Sequence, residues 1–575
     1  MPVDITIRIG GQAGQGMQSI GYVVGKIFTR HGYDVFMNQD VESRIRGGHS
    51  FVQARIKDGS VQAMGDNVDL LIALDKCVIE QDLADLAQDG VMIFDEEKTG
   101  FQSDNPNHFS IPLEKLATEA GKSKIMANTV ATGATFALMG FDLKPLSDRL
   151  EEEFGRKGKE TVERNKDSAS AGYRYVQEHF KGKHPYRIPP SPSMKGKMLI
   201  NGSEAIALGA ICSGLKFYSG YPMSPSTPIM EFVSSMAEKY NIILEQAEDE
   251  IAAMNMVLGA SFAGVRAMTA TSGGGFCLMV EALGLAGMTE TPAVVVVAQR
   301  PGPSTGLPTR TEQGDLSFVI HAAHGEFPKA VFAPGHPEQA FYLMAKAFNV
   351  ADKYQVPVIV LGEQHLNDSY FTVDRLDLNQ IRIDRGSIVS DDEIPSFKDY
   401  KRYAWDDSGV SPRILPGRSE AVVYADSDEH TEAGHITENP ETRRRMMDKR
   451  MKKMAGIRQG MAPPEMYPAE GSDVVLLGWG STYGAMKEAV EVMNRDGLKT
   501  RMLHFSEIYP FPKQHFSDKI GRNGKIFSVE MNYTGQFADL FSVETGIAVD
   551  HKILKYDGRP ITPTEIMTEV KDKMR

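Results

Sequence analysis

The chain has 575 residues, 41% of them hydrophobic and 24% charged, with a formal net charge of −13. That length exceeds one core and predicts three or four domains, while the acidic balance argues against nucleic acid or an anionic membrane as the main partner. The longest apolar run, Ala293 to Ala298, falls well short of the roughly 18–20 residues of a membrane span and suits a buried strand.

The opening residues, Met1-Pro2-Val3-Asp4-Ile5, lack the basic and apolar regions of a signal peptide, which predicts a cytoplasmic protein. Val3, Ile5, Ile7 and Ile9 alternate as a strand that runs into the glycine loop Gly10 to Gly16. A helix follows, with Met17, Ile20, Val24, Ile27 and Phe28 on one stripe, and Tyr33 to Met37 resumes as a strand. Further strands are expected at Leu70–Leu74 and Gly90–Phe94, and a solvated helix over Glu151–Lys166. Gly182 to Lys197, with its prolines and cations, reads as a linker. A second α/β unit starts at Met198, with strands at Leu215–Ser219, Ile242–Glu245, Val265–Ala270, Ala293–Ala298, Val331–Ala333 and Val356–Leu361. From about Asp391 to Pro468 the pattern fades into an extended excursion with little core of its own, expected to pack on another domain or subunit. A third α/β unit follows, with strands at Val474–Leu477, Thr500–His504 and Lys525–Glu530.

Several residues stand where such folds place chemistry. Glu250 opens a helix of small and apolar residues that carries no further charge, so the helix body is expected to be buried. An acid in a first turn is accounted for by the helix dipole and solvent; the alternative is that Glu250 points into a cleft and bonds a ring nitrogen of a cofactor. Ser272-Gly273-Gly274-Gly275 is either a tight strand-to-helix turn or a place where amide N–H groups approach a ligand. Arg300 closes an apolar strand, at the carboxyl edge where open α/β sheets bind ligands, and can grip a carboxylate with two parallel hydrogen bonds. The proline-stiffened loop after it carries Ser304, Thr305, Thr309 and Arg310. In the N-terminal loop, Gly11-x-x-Gly14-x-Gly16 inverts the dinucleotide fingerprint, leaving a phosphate-approach loop with Arg46 downstream. The cysteines Cys77, Cys212 and Cys277 are too few for a four-thiolate metal site and read as buried small hydrophobes. No metal ligands are expected within the chain.

In their order, Tyr221-Pro-Met-Ser-Pro-Ser-Thr, Glu250-Ile-Ala-Ala, Thr269-Ala-Thr-Ser-Gly and Gln299-Arg-Pro-Gly-Pro-Ser-Thr-Gly-Leu-Pro-Thr309 resemble the motif blocks of 2-oxoacid:ferredoxin oxidoreductases. The N-terminal Gly-Gly-Gln-Ala-Gly-Gln-Gly and Arg46-Gly-Gly resemble that family's gamma unit, fused here ahead of alpha, and Glu530-Met-Asn-Tyr-Thr-Gly-Gln536 resembles the end of its alpha subunit. The best match is the alpha subunit of the 2-oxoglutarate branch. The resemblance implies an α/β chain of several doubly wound domains: a gamma-type domain (1–182), a linker (183–196), a thiamine-diphosphate pyrimidine-binding domain (197–390), the excursion (391–469) and a transketolase C-terminal-like domain (470–575). It also implies roles. Glu250 bonds the aminopyrimidine ring and is the catalytic acid; Tyr221, Pro222, Ser272 and Gly273 contact the cofactor; Arg300, Thr309 and Ser224 hold the substrate. Ser224 stands where the motif has threonine, which leaves its role less defined. Gly14, Gly16 and Arg46 are candidates to contact coenzyme A or a phosphate.

The diphosphate-binding Gly-Asp-Gly with its downstream Asn-Asn, part of the same family knowledge, does not occur in the chain. The expectation is therefore half an active site, completed by a beta subunit that holds diphosphate, Mg2+ and a [4Fe–4S] cluster, with ferredoxin as acceptor and an (alpha-beta)2 assembly. Alternatives are pyruvate or branched 2-oxoacid specificity, a nicotinamide dehydrogenase using the N-terminal loop, a non-catalytic scaffold, or a transketolase-like enzyme.

Overall fold

The structure, a computed structural model, describes residues 3–42, 47–180, 186, 188–189, 196–468, 473–515 and 524–575. Most of the expected linker and Arg46 lie outside the described residues. The chain forms two compact units: Met1–Ile200 with Ser369–Arg375, and Asn201–Asp368 with Leu376–Arg575.

In the first unit, Asp4–Ala13 is a central strand of an eight-stranded sheet, and Val3, Ile5, Ile7 and Ile9 are all buried. So are Thr6 and Arg8 between them, whereas Asp4 is exposed. Arg8 is 5% exposed, pairs with Asp82 at 3.0 Å and Asp85 at 2.6 Å, and lies 4.4 Å over the Phe51 ring, the pairing that a buried cation requires. Gly47–Lys57 inserts antiparallel between this strand and Asp34–Val41. The strand–loop–helix–strand start is therefore not the parallel βαβ unit of a dinucleotide fold. The expected helix over Glu151–Lys166 is split, as Lys144–Phe154 and Lys159–His179 joined by a short 3-10 turn. One strand of this sheet arrives late: Tyr370–Val373 pairs antiparallel with Asp34–Val41, setting Tyr370 against Met37 and Phe371 against Phe36, and Met198–Asn201 lies beyond it.

The second unit holds a seven-stranded sheet ordered Glu507–Tyr509, Ala330–Phe332, Pro357–Glu363, Ala293–Gln299, Arg266–Thr271, Leu215–Gly220 and Ile243–Gln246. All neighbours are parallel except the first pair. The chain leaves Leu215–Gly220 toward Ile243–Gln246 on one side and leaves Arg266–Thr271 toward Ala293–Gln299 on the other. The carboxyl ends of Leu215–Gly220 and Arg266–Thr271 thus flank the topological switch point, where open α/β sheets open a crevice. A five-stranded sheet in the same unit, ordered Glu465–Tyr467, Thr500–Phe505, Val474–Trp479, Lys525–Glu530 and His551–Leu554, is parallel apart from Glu465–Tyr467.

The excursion packs on its own unit and binds the far ends of two helices, Glu250–Phe262 and Gly273–Met288. Arg413 donates to the Ser261 carbonyl in the last turn of the first helix, and Arg385, just ahead of the excursion, donates from Nη2 to Gly264 O at 2.8 Å past its end. Past the end of the second, Arg402 Nη2 donates to Glu290 O at 2.7 Å, Tyr403 OH to Thr289 O at 3.3 Å, and His430 Nε2 lies 3.2 Å from Met288 O. Helix C-termini expose carbonyls with partial negative charge, so cationic donors suit both ends. Beneath them, Glu290 is wholly buried between Lys449 Nζ, at 2.7 Å, and Lys453. Burial opposes ionisation of Glu290, and Lys453, Lys449 and Arg402 overcome it, holding the carboxyl well below the usual range. Burial pulls Lys453 down to about 7.

Two expectations need correction. The Glu250–Phe262 helix is not buried all round: Ile251 is 49% and Met256 40% exposed, because small apolar residues mark a close-packed helix without saying whether every face is covered. Cys277 is exposed, and Cys77 and Cys212 are half-buried, so none is the core residue expected.

Candidate functional site

The switch-point crevice is walled by two loops. After Leu215–Gly220 comes Tyr221 to Ser226, with Tyr221 39% exposed, Pro222 exposed and Met223 and Ser224 half-buried. After Arg266–Thr271 comes Ser272, wholly buried, then the helix that begins at Gly273. The walls touch, as Ser272 Oγ donates to the Met223 sulfur at 2.7 Å. Arg300, at the end of the neighbouring strand, reaches the first of them, its Nη1 donating to the Ser224 carbonyl at 2.7 Å. The structure therefore brings Ser224 to Arg300 through its carbonyl rather than its hydroxyl.

Glu250 enters from the opposite helix. Asp249 caps that helix, its side chain accepting from the Ala252 N–H at 2.8 Å, which leaves the Glu250 carboxyl free of a capping role. Glu250 is 3% exposed and its Oε1 has no hydrogen-bond partner among the described residues. Thr269 Oγ1 and Thr271 Oγ1, on the strand that leads into the glycine turn, are buried and unpartnered as well. A Cβ added at Gly275 would stand 2.0 Å from Thr271 Oγ1 and 2.6 Å from Glu250 Oε1. A glycine is what lets the carboxylate, the hydroxyl and the helix backbone converge at this point. A bare carboxylate oxygen and bare hydroxyls in a buried crevice are a donor–acceptor set fitted to a polar ring.

Thr309 is half-buried further along the proline loop. There the loop turns to the Leu376–Arg575 part of the unit: a Cβ at Gly558 would meet Arg310 and Leu307, and Thr311 N–H donates to Gly558 O at 3.3 Å. Gln313 fastens the next stretch, accepting from the Met531 N–H at 3.0 Å and donating to Trp479 O at 2.9 Å. The Glu530–Gln536 motif forms the seat: buried Glu530 accepts the Phe537 and Ala538 N–H groups, each at 2.9 Å, and Gln536 donates to Gly314 O at 2.7 Å. Sequence reasoning missed Asp315, Glu312 and Gln313. They follow the quoted block directly, but an aspartate before Leu316-Ser-Phe-Val-Ile reads as an ordinary helix cap.

Gly14 and Gly16, in the first unit, have φ of 97° and 75° and border a cleft of about 350 Å3 at the start of Met17–Arg30, with Gln18, Ser50 and Phe51 on its wall. Among the described residues, no helix is long and apolar enough to cross a membrane.

Three family descriptions match the chain: "Pyruvate ferredoxin/flavodoxin oxidoreductase" over residues 6–175, "Pyruvate flavodoxin/ferredoxin oxidoreductase, thiamine diP-bdg" over 208–449, and "Pyruvate:ferredoxin oxidoreductase core domain II" over 472–566. The 2-oxoacid:ferredoxin oxidoreductase subunit alpha of a Sulfolobus species is 33% identical, across 97% of this chain and 95% of its own. The 2-oxoglutarate oxidoreductase subunit KorA of Mycobacterium tuberculosis is 29% identical, across 93% of this chain and 86% of its own. Among solved structures, the 2-oxoglutarate:ferredoxin oxidoreductase from Magnetococcus marinus, with 2-oxoglutarate, coenzyme A and succinyl-CoA bound, matches with a TM-score of 0.91 and 32% identity over the whole of both chains.

Proposed function

This chain belongs to the 2-oxoacid:ferredoxin oxidoreductase family, as an alpha subunit, and from that premise we propose that it converts 2-oxoglutarate and coenzyme A to succinyl-CoA and CO2 while reducing ferredoxin, in the cytoplasm and together with a beta subunit. The observation that carries the reading is the crevice where the buried Glu250 Oε1, without a partner among the described residues, lies at the glycine turn and the Arg300 guanidinium is held on the facing loop by Ser224 O.

The residues present fit the pyrimidine end of thiamine diphosphate. Glu250 Oε1 would accept from a ring N–H, with Thr271 Oγ1 beside it and Ser272, Gly273, Tyr221 and Pro222 forming the wall. When bound, thiamine diphosphate supplies the nucleophilic carbon and electron sink for decarboxylation. Glu250 holds or releases a proton at Oε1, and the burial of that oxygen keeps water from it. Arg300 anchors the 2-oxoacid carboxylate with the guanidinium hydrogens not given to Ser224 O, and Thr309 and the Ser224 hydroxyl line the entry. The Gly14–Gly16 cleft offers amide N–H groups at a helix N-terminus to a phosphate of coenzyme A. The beta subunit brings the diphosphate site, Mg2+ and a [4Fe–4S] cluster in an (alpha-beta)2 assembly, since the chain's three cysteines are scattered. An uncovered surface for it exists beside the crevice: Ile251, Met256 and Leu278 are 40–49% exposed on the two helices that carry Glu250 and Gly273. The 2-oxoglutarate preference is supported by the KorA relative and the Magnetococcus marinus enzyme.

Purification of the complex from its host, followed by viologen reduction with 2-oxoglutarate, pyruvate and branched 2-oxoacids, tests the reading. A preference for pyruvate would overturn the substrate, and activity of this chain alone would overturn the shared site. Two substitutions probe the crevice. Gly275→Ala drives a methyl into Glu250 and Thr271, and turnover is expected to fall about 100-fold, the scale of an ångström-sized misplacement. Arg300→Lys loses the forked grip on a carboxylate, and KM for the 2-oxoacid is expected to rise at least about tenfold, the cost of one lost charge-assisted hydrogen bond.

A further inference from the structure

Asp315 has a place in the crevice that neither the motif nor its helix explains. It occupies the cap position of the short helix Leu316–His321, yet its side chain makes no capping hydrogen bond. Its backbone N–H donates instead to Gln299 Oε1 at 2.9 Å, beside Arg300. The carboxyl lies over Gly273: a Cβ added there would stand 2.2 Å from Oδ2 and 2.9 Å from Oδ1. The Oδ2 atom is buried and has no hydrogen-bond partner among the described residues.

The titratable and charged groups facing it come from each neighbouring element: Arg300 from the strand end, Glu312 from its own loop, and Cys277 from the first turns of the glycine helix. Burial, opposed by Arg300, pushes the Asp315 carboxyl up to about 6. Burial and the Asp315 charge push Glu312 up to about 6. At Arg300, burial lowers the pKa and the charge of Asp315 works to raise it. The two groups feel each other without forming an ion pair.

We propose that Asp315 is a specificity-determining residue of the substrate anchor: its uncharged carboxyl lets Arg300 accept a 2-oxoacid carboxylate, and its ionised carboxylate repels that substrate. This rests on Arg300 being the anchor. The reason is elementary. An arginine with a nearby neutral acid presents a full positive charge, whereas one with a nearby carboxylate presents a dipole to the incoming anion. Above the Asp315 pKa, binding a carboxylate must therefore take up a proton at Asp315. A dicarboxylate such as 2-oxoglutarate carries two charges in the same field, so it is affected more than a monocarboxylate.

The test uses the intact complex with its beta subunit and measures KM for 2-oxoglutarate and pyruvate by viologen reduction from pH 5.5 to 8 at constant ionic strength. In the unmodified enzyme, KM is expected to rise with pH by about tenfold, equivalent to one pKa unit of coupling, and more steeply for 2-oxoglutarate. Asp315→Asn is expected to flatten that rise and to lower KM at pH 7.5, a gain of affinity that damage to the fold does not produce. Glu312→Gln removes a like charge and is expected to move the midpoint of the rise to lower pH, which gives a second readout should Asp315→Asn fail to fold. A slope that persists in Asp315→Asn, or a midpoint unmoved in Glu312→Gln, would overturn the proposal. Arg300→Lys separates this failure from that of the anchor itself: an unchanged KM in that variant rejects the anchor, whereas a raised KM with an unaltered Asp315→Asn slope rejects the role of Asp315 alone.

Discussion

Glu250→Gln is expected to lower 2-oxoacid-dependent viologen reduction by the assembled complex about 1000-fold, within the range contributed by a positioned proton-transfer group. The amide keeps the size and most of the packing of the carboxylate, so the melting temperature is expected to stay close to that of the unmodified complex. Oε1 has no partner among the described residues and sits 2.6 Å from where a Gly275 Cβ would stand, so its hydrogen-bonding capacity is available to a ligand. A neutral amide still fills that space but can no longer exchange a proton with a ring nitrogen. Thiamine diphosphate binding, followed by calorimetry on the same variant, separates weaker binding from slower chemistry. A fall of less than about tenfold would reduce Glu250 to a first-turn acid that favours the helix dipole, worth some 0.3–1 kcal/mol.

The largest stability effect is expected away from the crevice. Glu290→Gln leaves Lys449 and Lys453, both essentially inaccessible to solvent, without the carboxylate that lies between them. Removing one partner of a buried ion pair costs about 3–5 kcal/mol, which should appear as a lower denaturant midpoint of the unit. Replacing all three together (Glu290→Leu, Lys449→Met, Lys453→Met) removes the orphaned charges and is expected to recover most of that loss, since apolar substitution of a whole buried pair is often near neutral. If the single and triple variants unfold alike, the cluster does not act through charge compensation.

Much of this arrangement could be read from the sequence, and the rest failed for identifiable reasons. The strands of the second unit follow their apolar runs, since a parallel strand covered on both faces leaves an uninterrupted hydrophobic signature such as Ala293 to Ala298. The loops bearing Ser224, Ser272 and Arg300 stand at strand ends because glycine, proline and polar residues interrupt those runs there. The anchoring arginines were invisible: Arg402 and Arg413 sit in a stretch without periodicity, Arg385 stands just ahead of it, and their partners are backbone carbonyls, which carry no sequence signal. Asp315 was missed because local grammar assigns it a cap that the tertiary structure does not use. The exposed face with Ile251 and Met256 was missed because composition reports how apolar a helix is, and not what covers it.

The late strand Tyr370–Val373 governs how this polypeptide can be divided. A fragment ending at Ile200 keeps Asp34–Val41 and most of the strand Met198–Asn201 but lacks the strand that stands between them. The peptide groups along Phe36 and Met37 then face solvent as an open border, which recruits the same border of another molecule and drives precipitation. Expressing the amino-terminal portion as a soluble fragment therefore calls for grafting residues 369–375 onto it, so that the cut respects the sheet rather than the order of the chain.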